Sequence, residues 1–117
     1  MGQGIRSLCG VVLRWSLVWC AIALLAAPGQ AWADGGALFE QHCAGCHVNG
    51  GNIIRRGKTL KLAVLERQGW ASAEAIARIA SEGLGQMSGY GSVLGEQGSR
   101  EVAAFVWQQA LAGWPKA

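Results

Sequence analysis

Metal-ligating side chains are few in this chain of 117 residues: two histidines and four cysteines. Cys9 and Cys20 fall in an apolar N-terminal stretch, which leaves Cys43, Cys46, His42 and His47 for the rest. A structural zinc site takes four such ligands, commonly two cysteine pairs, and no second pair exists beyond Cys46. One pair is also too few for the disulfide framework that staples many small exported domains. Charge is scarce, at 15% of residues with a formal net of +3, so no strong field draws nucleic acid to the surface. Proline occurs only at 28 and 115.

No hydrophobic run is long. The stretch from Trp15 to Ala27 falls short of the roughly 20 apolar residues of a membrane span. Arg6 and Arg14 precede it, Pro28-Gly29 breaks any helix after it, and Ala31-Trp32-Ala33 fits a small-x-small cleavage site. Residues 1–33 therefore read as a cleaved signal peptide and residues 34–117 as a single domain. Val18-Trp19 before Cys20 is not the small-residue lead of a lipid-attachment signal. Losing Arg6 and Arg14 takes the net charge from +3 to +1. The alternative is a retained leader that anchors a structural or assembly protein to the membrane.

What is present is compact. Cys43-Ala44-Gly45-Cys46-His47 is C-x-x-C-H, the attachment sequence of a c-type haem. On one short turn, two cysteines three apart both reach one porphyrin edge, where their thiols add across the vinyl groups as thioethers. His47 then lies under the ring and offers an imidazole nitrogen to iron. A dithiol redox pair would carry the same C-x-x-C but expects a βαβ setting. Export agrees with the motif, because thioether attachment is made on the far side of an energy-transducing membrane. A porphyrin also supplies much of the core that so small a domain lacks. His42 reads as a surface helix residue, since one axial histidine is already present.

In chain order, Asp34 is expected to cap a first helix that runs into the haem turn, with Gly35 and Phe39 on one face. Val48 to Lys58, with three glycines and two asparagines, reads as a loop. Within it Ile53-Ile54 is expected to wall the pocket, and Arg55-Arg56-Gly57-Lys58 is either a solvated cluster or a docking patch or propionate partner. Thr59 is a candidate N-cap for a helix over 60–68, with Gly69 at its C-terminal stop. Ser72 is expected to cap a helix over 73–81 with Ile76, Ile79 and Ala80 as its apolar stripe, closed by Gly83. Gly83 to Ser92 is a glycine-rich loop holding Met87, the only methionine besides the initiator. A thioether is a soft ligand that suits haem iron, so Met87 is either the sixth ligand or a pocket-lining residue beside an open site. Ser99 is expected to cap the last helix, where Val102, Phe105, Val106 and Ala110 keep helical spacing. Gly113 and Pro115 close it, and Phe105 should pack on Gly35 and Phe39. Trp107 and Trp114 read as core builders.

Across residues 34–116 this assembly resembles the class I cytochromes c, and cytochrome c6 above all. The resemblance rests on Gly35-Gly36-x-x-Phe39, Cys43-x-x-Cys46-His47, Gly51-Asn52-Ile53-Ile54 with Lys58-Thr59-Leu60, the Met87 loop, Val102 to Val106, and Gly113-Trp114. It implies an all-α fold, the class I cytochrome c fold, of about four short helices around one covalent haem c. It also implies attachment through Cys43 and Cys46, with His47 and Met87 as axial ligands. The implied function is a soluble, monomeric one-electron carrier in the thylakoid lumen or periplasm, taking electrons from a cytochrome bf complex to photosystem I or a terminal oxidase. Docking would be transient, with no stable membrane insertion after cleavage and no catalytic residues.

Three departures point to a divergent paralogue. Ser88 stands where the family has proline after the methionine, Gly51 where it often has arginine, and Tyr90 where phenylalanine is usual. The plant form with an extra disulfide does not fit, for want of a spare cysteine pair. The alternative function is an open-site haem protein, a gas sensor or peroxidase-like, if Met87 leaves the iron free.

Overall fold

The computed structural model describes residues 30–116 together with Trp15. Apart from Trp15 and residues 30–33, the expected leader lies outside the described residues. Four helices carry the described residues 30–116: α1 (Gln30–His42), α2 (Leu62–Gln68), α3 (Ala73–Glu82) and α4 (Gly91–Ala112). A 3₁₀ turn at Val48–Gly50 and a two-residue ribbon, β1 (Gly83–Leu84) and β2 (Met87–Ser88), complete it. The all-α expectation stands, with the small ribbon as an addition. No helix among the described residues is long and apolar enough to cross a membrane.

The two ends of the domain cross. At Gly35 an added Cβ would run into the backbone of Glu101 and lie 3.1 Å from the Phe105 Cβ. Only a residue without a side chain lets α1 and α4 come this close. Below the crossing, Phe39 and Phe105 have ring centroids 5.4 Å apart, and Trp114 closes the triangle at 5.4 Å from Phe39 and 6.4 Å from Phe105. Tilted and edge-on pairs of this kind add about 0.5–1.5 kcal/mol each beyond area burial. Phe39, Leu65, Ile76, Ala80, Val102, Ala103, Val106 and Ala110 form the buried core, so the apolar stripes of α3 and α4 face inward as their spacing requires.

Several local expectations hold. Ser72 Oγ accepts from the Ala75 amide at 3.1 Å and caps α3. Gly69 and Gly113 close α2 and α4 in left-handed conformations, at φ 73° and 78°.

Three cap expectations are corrected. Asp34 lies inside α1, whose helix extends back to Gln30; Ala31, Ala33 and Ala37 are strong helix formers that carry it through. Lys61, not Thr59, is the residue before α2, and it makes no side-chain cap. Ser99 does not start the last helix either. α4 begins at Gly91 and breaks at Gly95, with φ 67° and ψ 179°. Ser99 is buried, and its hydroxyl donates back across the break to the Gly95 carbonyl at 2.8 Å.

Candidate haem centre

α1 ends at His42, and the chain turns over Cys43 to Cys46. The Cys43 and Ala44 amides both donate to the Phe39 carbonyl, at 2.8 and 2.9 Å. The Cys46 and His47 amides donate to the Cys43 carbonyl, at 3.1 and 3.0 Å. The two thiols and the imidazole thus leave one tightly bonded turn. Cys43 is half-buried and Cys46 exposed. Burial pushes the Cys43 thiol above its ordinary range, and the neighbouring Cys46 adds to the shift.

His47 is buried, at 9% exposure. Its Nδ1 lies 2.8 Å from the Gly51 carbonyl oxygen, to which an Nδ1–H donates. This fixes the tautomer and leaves Nε2 with its lone pair free, as a metal-bound histidine needs. The backbone behind it is pinned in turn. Ile53 N donates to Cys46 O at 3.0 Å, and Leu60 N to Gly50 O at 2.7 Å. Asn52 Oδ1 accepts from the amides of Ile54 and Arg55, while its Nδ2 donates to Lys58 O. The stretch read as a loop is a cross-braced one.

Met87 stands on a separate element, just after α3. β1 and β2 pair antiparallel with Gly83 opposite Ser88 and Leu84 opposite Met87. Gly85, at φ 59°, makes the two-residue turn of a tight hairpin. Because directly paired residues project to the same face of a ribbon, Leu84 lies beside Met87. Met87 is half-buried and Leu84 is 45% exposed. The hairpin base is fixed by the Tyr90 amide donating to Ala80 O at 2.8 Å. The structure therefore groups Cys43, Cys46 and His47 on one turn and presents Met87 from the ribbon.

A family model described as cytochrome c oxidase, cbb3-type, subunit III, matches residues 30–106. A cytochrome c6-like protein of Nostoc sp. (strain PCC 7120) is 46% identical over 95 residues, covering 80% of this chain and 86% of its own. Cytochrome c6 of Aphanizomenon flos-aquae is 45% identical over 83 residues, covering 71% of this chain and 95% of that protein. The chain belongs to the cytochrome c6 family. Among solved structures, cytochrome c6B from Synechococcus sp. WH8102 superposes with a TM-score of 0.70 at 59% identity, over 78% of this chain and 99% of that one. The family model marks the cytochrome c domain, and relatives matched over nearly their full length place it on the c6 branch.

As a member of the c6 family the chain carries one covalently attached haem c. The residues present fit that group. They are a thiol pair on one turn, a buried imidazole with one nitrogen committed to a carbonyl and the other free, and a thioether on a separate hairpin. Around them Ile53, Ile54 and Leu84 are exposed by 64%, 62% and 45%. These are apolar side chains without a protein partner, and a porphyrin face would cover them.

Two contributors escaped the sequence reading. A two-residue strand in a glycine-rich stretch is too short for alternation to mark Leu84. The signal was Leu84 and Met87 flanking Gly85-Gln86, the shortest hairpin spacing. Gly51 acts through its carbonyl, which orients His47 and which no side-chain pattern reveals. The basic cluster is partly accounted for: Arg55 Nε donates to Gln86 Oε1, and Lys58 Nζ donates to Gln68 Oε1 while lying 5.2 Å from the Trp70 ring centroid.

Proposed function

We propose that Cys43 and Cys46 hold the haem, that His47 and Met87 are its axial ligands, and that the protein is a one-electron shuttle of an exported compartment. The observation that carries this is the His47 imidazole, buried on the C-x-x-C-H turn with Nδ1 committed to the Gly51 carbonyl. Such a ring has Nε2 left to bind iron, the role that the histidine of a C-x-x-C-H sequence would take.

Bound there, the haem supplies one-electron exchange between ferrous and ferric iron. The chain's own residues set the terms of that exchange. His47 is held by its carbonyl partner and does not rotate away. Met87 offers a soft sulfur, which favours the reduced state relative to a harder donor. Ile53, Ile54 and Leu84 keep water from the faces they cover, and a water-poor surround disfavours the extra positive charge of the oxidised state. Cys46 and Val48 are exposed, so the thioether edge beside them is the exit for electrons. Docking there is brief and its interface small. No general base, nucleophile or substrate pocket enters the reading.

Ser88, Gly51 and Tyr90 support a divergent c6-type carrier rather than the standard one, and the 59% identity to a protein named c6B agrees. The donor is then a cytochrome bf-type complex and the acceptor photosystem I or a terminal oxidase, in lumen or periplasm after removal of residues 1–33. The deciding experiment is a redox titration of the haem-loaded protein, followed through its α-band and the weak methionine–iron band near the red end. A high potential with that band is expected. A low potential with the band present keeps the ligands and moves the protein to another circuit. An absent band, with rapid carbon monoxide binding to the reduced protein, overturns Met87 as ligand. The mature N-terminus by mass spectrometry tests the leader: a start at Asp34 is expected, and an intact residue 1–33 segment overturns it.

A further inference from the structure

The hairpin that presents Met87 is slight. It consists of two paired residues on each side of a glycine turn, and Ser88 follows the methionine with none of the stiffness of a ring. Its base is anchored to α3 through Tyr90 N and Ala80 O. Among the described residues, one hydrogen bond alone reaches its tip from another element: Arg55 Nε donates to Gln86 Oε1 at 3.0 Å, across 31 positions of sequence.

Arg55 is a firm post. Its amide donates to Asn52 Oδ1 at 2.7 Å, its carbonyl accepts from Lys58 N at 2.8 Å, and Asn52 Nδ2 closes the ring on Lys58 O at 3.0 Å. That braced segment is continuous with Gly51, which orients His47. Gln86 immediately precedes Met87. The side of the site that holds the histidine is thereby tied to the side that offers the thioether.

We propose that Arg55 and Gln86 form a latch that holds the Met87 hairpin closed, making both of them positioning residues for the sixth ligand. The proposal rests on the reading of Met87 as that ligand. A latch of this kind acts on the opening equilibrium of the hairpin. One hydrogen bond between exposed side chains changes such an equilibrium about three- to tenfold. Any neutral ligand that competes with Met87 for the iron reads the open fraction directly, because its apparent affinity scales with the population of the competent state.

The test is an imidazole titration of the oxidised, haem-loaded protein, following loss of the methionine–iron band in the parent, Arg55→Leu, Gln86→Leu and the double variant. Imidazole binds to iron as a neutral molecule, so removal of the arginine charge does not by itself draw it in. Each single variant should bind imidazole about three- to tenfold more tightly than the parent, and the double variant no more tightly than the singles. Far-UV circular dichroism should be unchanged throughout, which separates hairpin opening from global unfolding. Parent-like affinity in both singles overturns the latch, as do effects that add in the double variant. A parent without the methionine–iron band overturns the ligand reading itself and the latch with it. A parent with the band whose affinity is insensitive to both substitutions overturns the latch alone.

Discussion

The indole Nε1 of Trp114 donates to the carbonyl oxygen of Leu60 at 3.0 Å, 54 positions earlier in the chain. The same ring lies over Gly50 and packs tilted and edge-on against the Phe39–Phe105 pair. A residue two past the end of the last helix thus ties the terminal crossing to the segment that braces His47. Gly113, at φ 78°, turns the chain so that the indole can return to it. This explains physically why a tryptophan follows the closing glycine: a phenylalanine would fill the aromatic triangle and leave the carbonyl unmet.

Trp114→Phe isolates that bond. The ring contacts survive in reduced form while the Leu60 carbonyl loses its partner, a cost of about 1–3 kcal/mol for a sheltered polar group. Chemical denaturation of the haem-loaded protein should show the loss as a lower midpoint with the slope unchanged. A variant as stable as the parent would show that water replaces the indole at no cost.

Gly50→Ala meets two obstacles. Its φ of 73° is a left-handed conformation, and an added Cβ would run into the Trp114 ring. The conformation alone costs about 1–2 kcal/mol, and displacing the ring raises the expected loss to about 2–4 kcal/mol. The Gly50 carbonyl also accepts from Leu60, so the damage should spread to the His47 brace. Thermal unfolding combined with the haem spectrum checks this, and an unchanged melting temperature would contradict the packing described.

Much of the fold was legible because its signals are local. Ser72, Gly69, Gly83 and Gly113 mark helix ends by chemistry that acts within four residues, and the stripes of α3 and α4 keep helical spacing. The C-x-x-C-H turn is likewise a local signal. The failures differ in kind. Thr59, Asp34 and Ser99 all have cap-forming side chains, but strong helix formers carry α1 back past Asp34, α2 starts after Lys61, and α4 reaches back past Ser99 to Gly91. Arg55 meeting Gln86, and Trp114 meeting Leu60, are long-range pairings of ordinary side chains, and no spacing rule foreshadows them. The ribbon of Leu84 and Met87 is too short for alternation to register.

Thr59 separates a cap from a bystander. Its hydroxyl is buried and has no hydrogen-bond partner among the described residues, and α2 starts three residues later, at Leu62. Thr59→Val keeps the shape and removes the unpaired oxygen. With no cap bond to lose, the variant should be about as stable as the parent. Were Thr59 a working N-cap, the same change would lose about 0.5–2 kcal/mol. The size of the shift in denaturation midpoint decides between them.

Met87→Ala tests the half of the site that sequence placed least firmly. Met87 is the only methionine beyond the initiator, so no neighbouring thioether can take over. Truncation removes the soft donor and leaves its ribbon partner Leu84 in place. The reduction potential should then fall by on the order of 100 mV, well inside the about 0.8 V range that haem environments span. The methionine–iron band should vanish, and carbon monoxide should bind the reduced variant rapidly where the parent resists it. The fold should persist, because Met87 lies outside the Phe39, Leu65, Ile76, Ala80, Val102, Ala103, Val106 and Ala110 core. An unchanged potential and spectrum would remove Met87 from the iron, and would turn attention to how a half-buried methionine on a tethered hairpin shapes an open site instead.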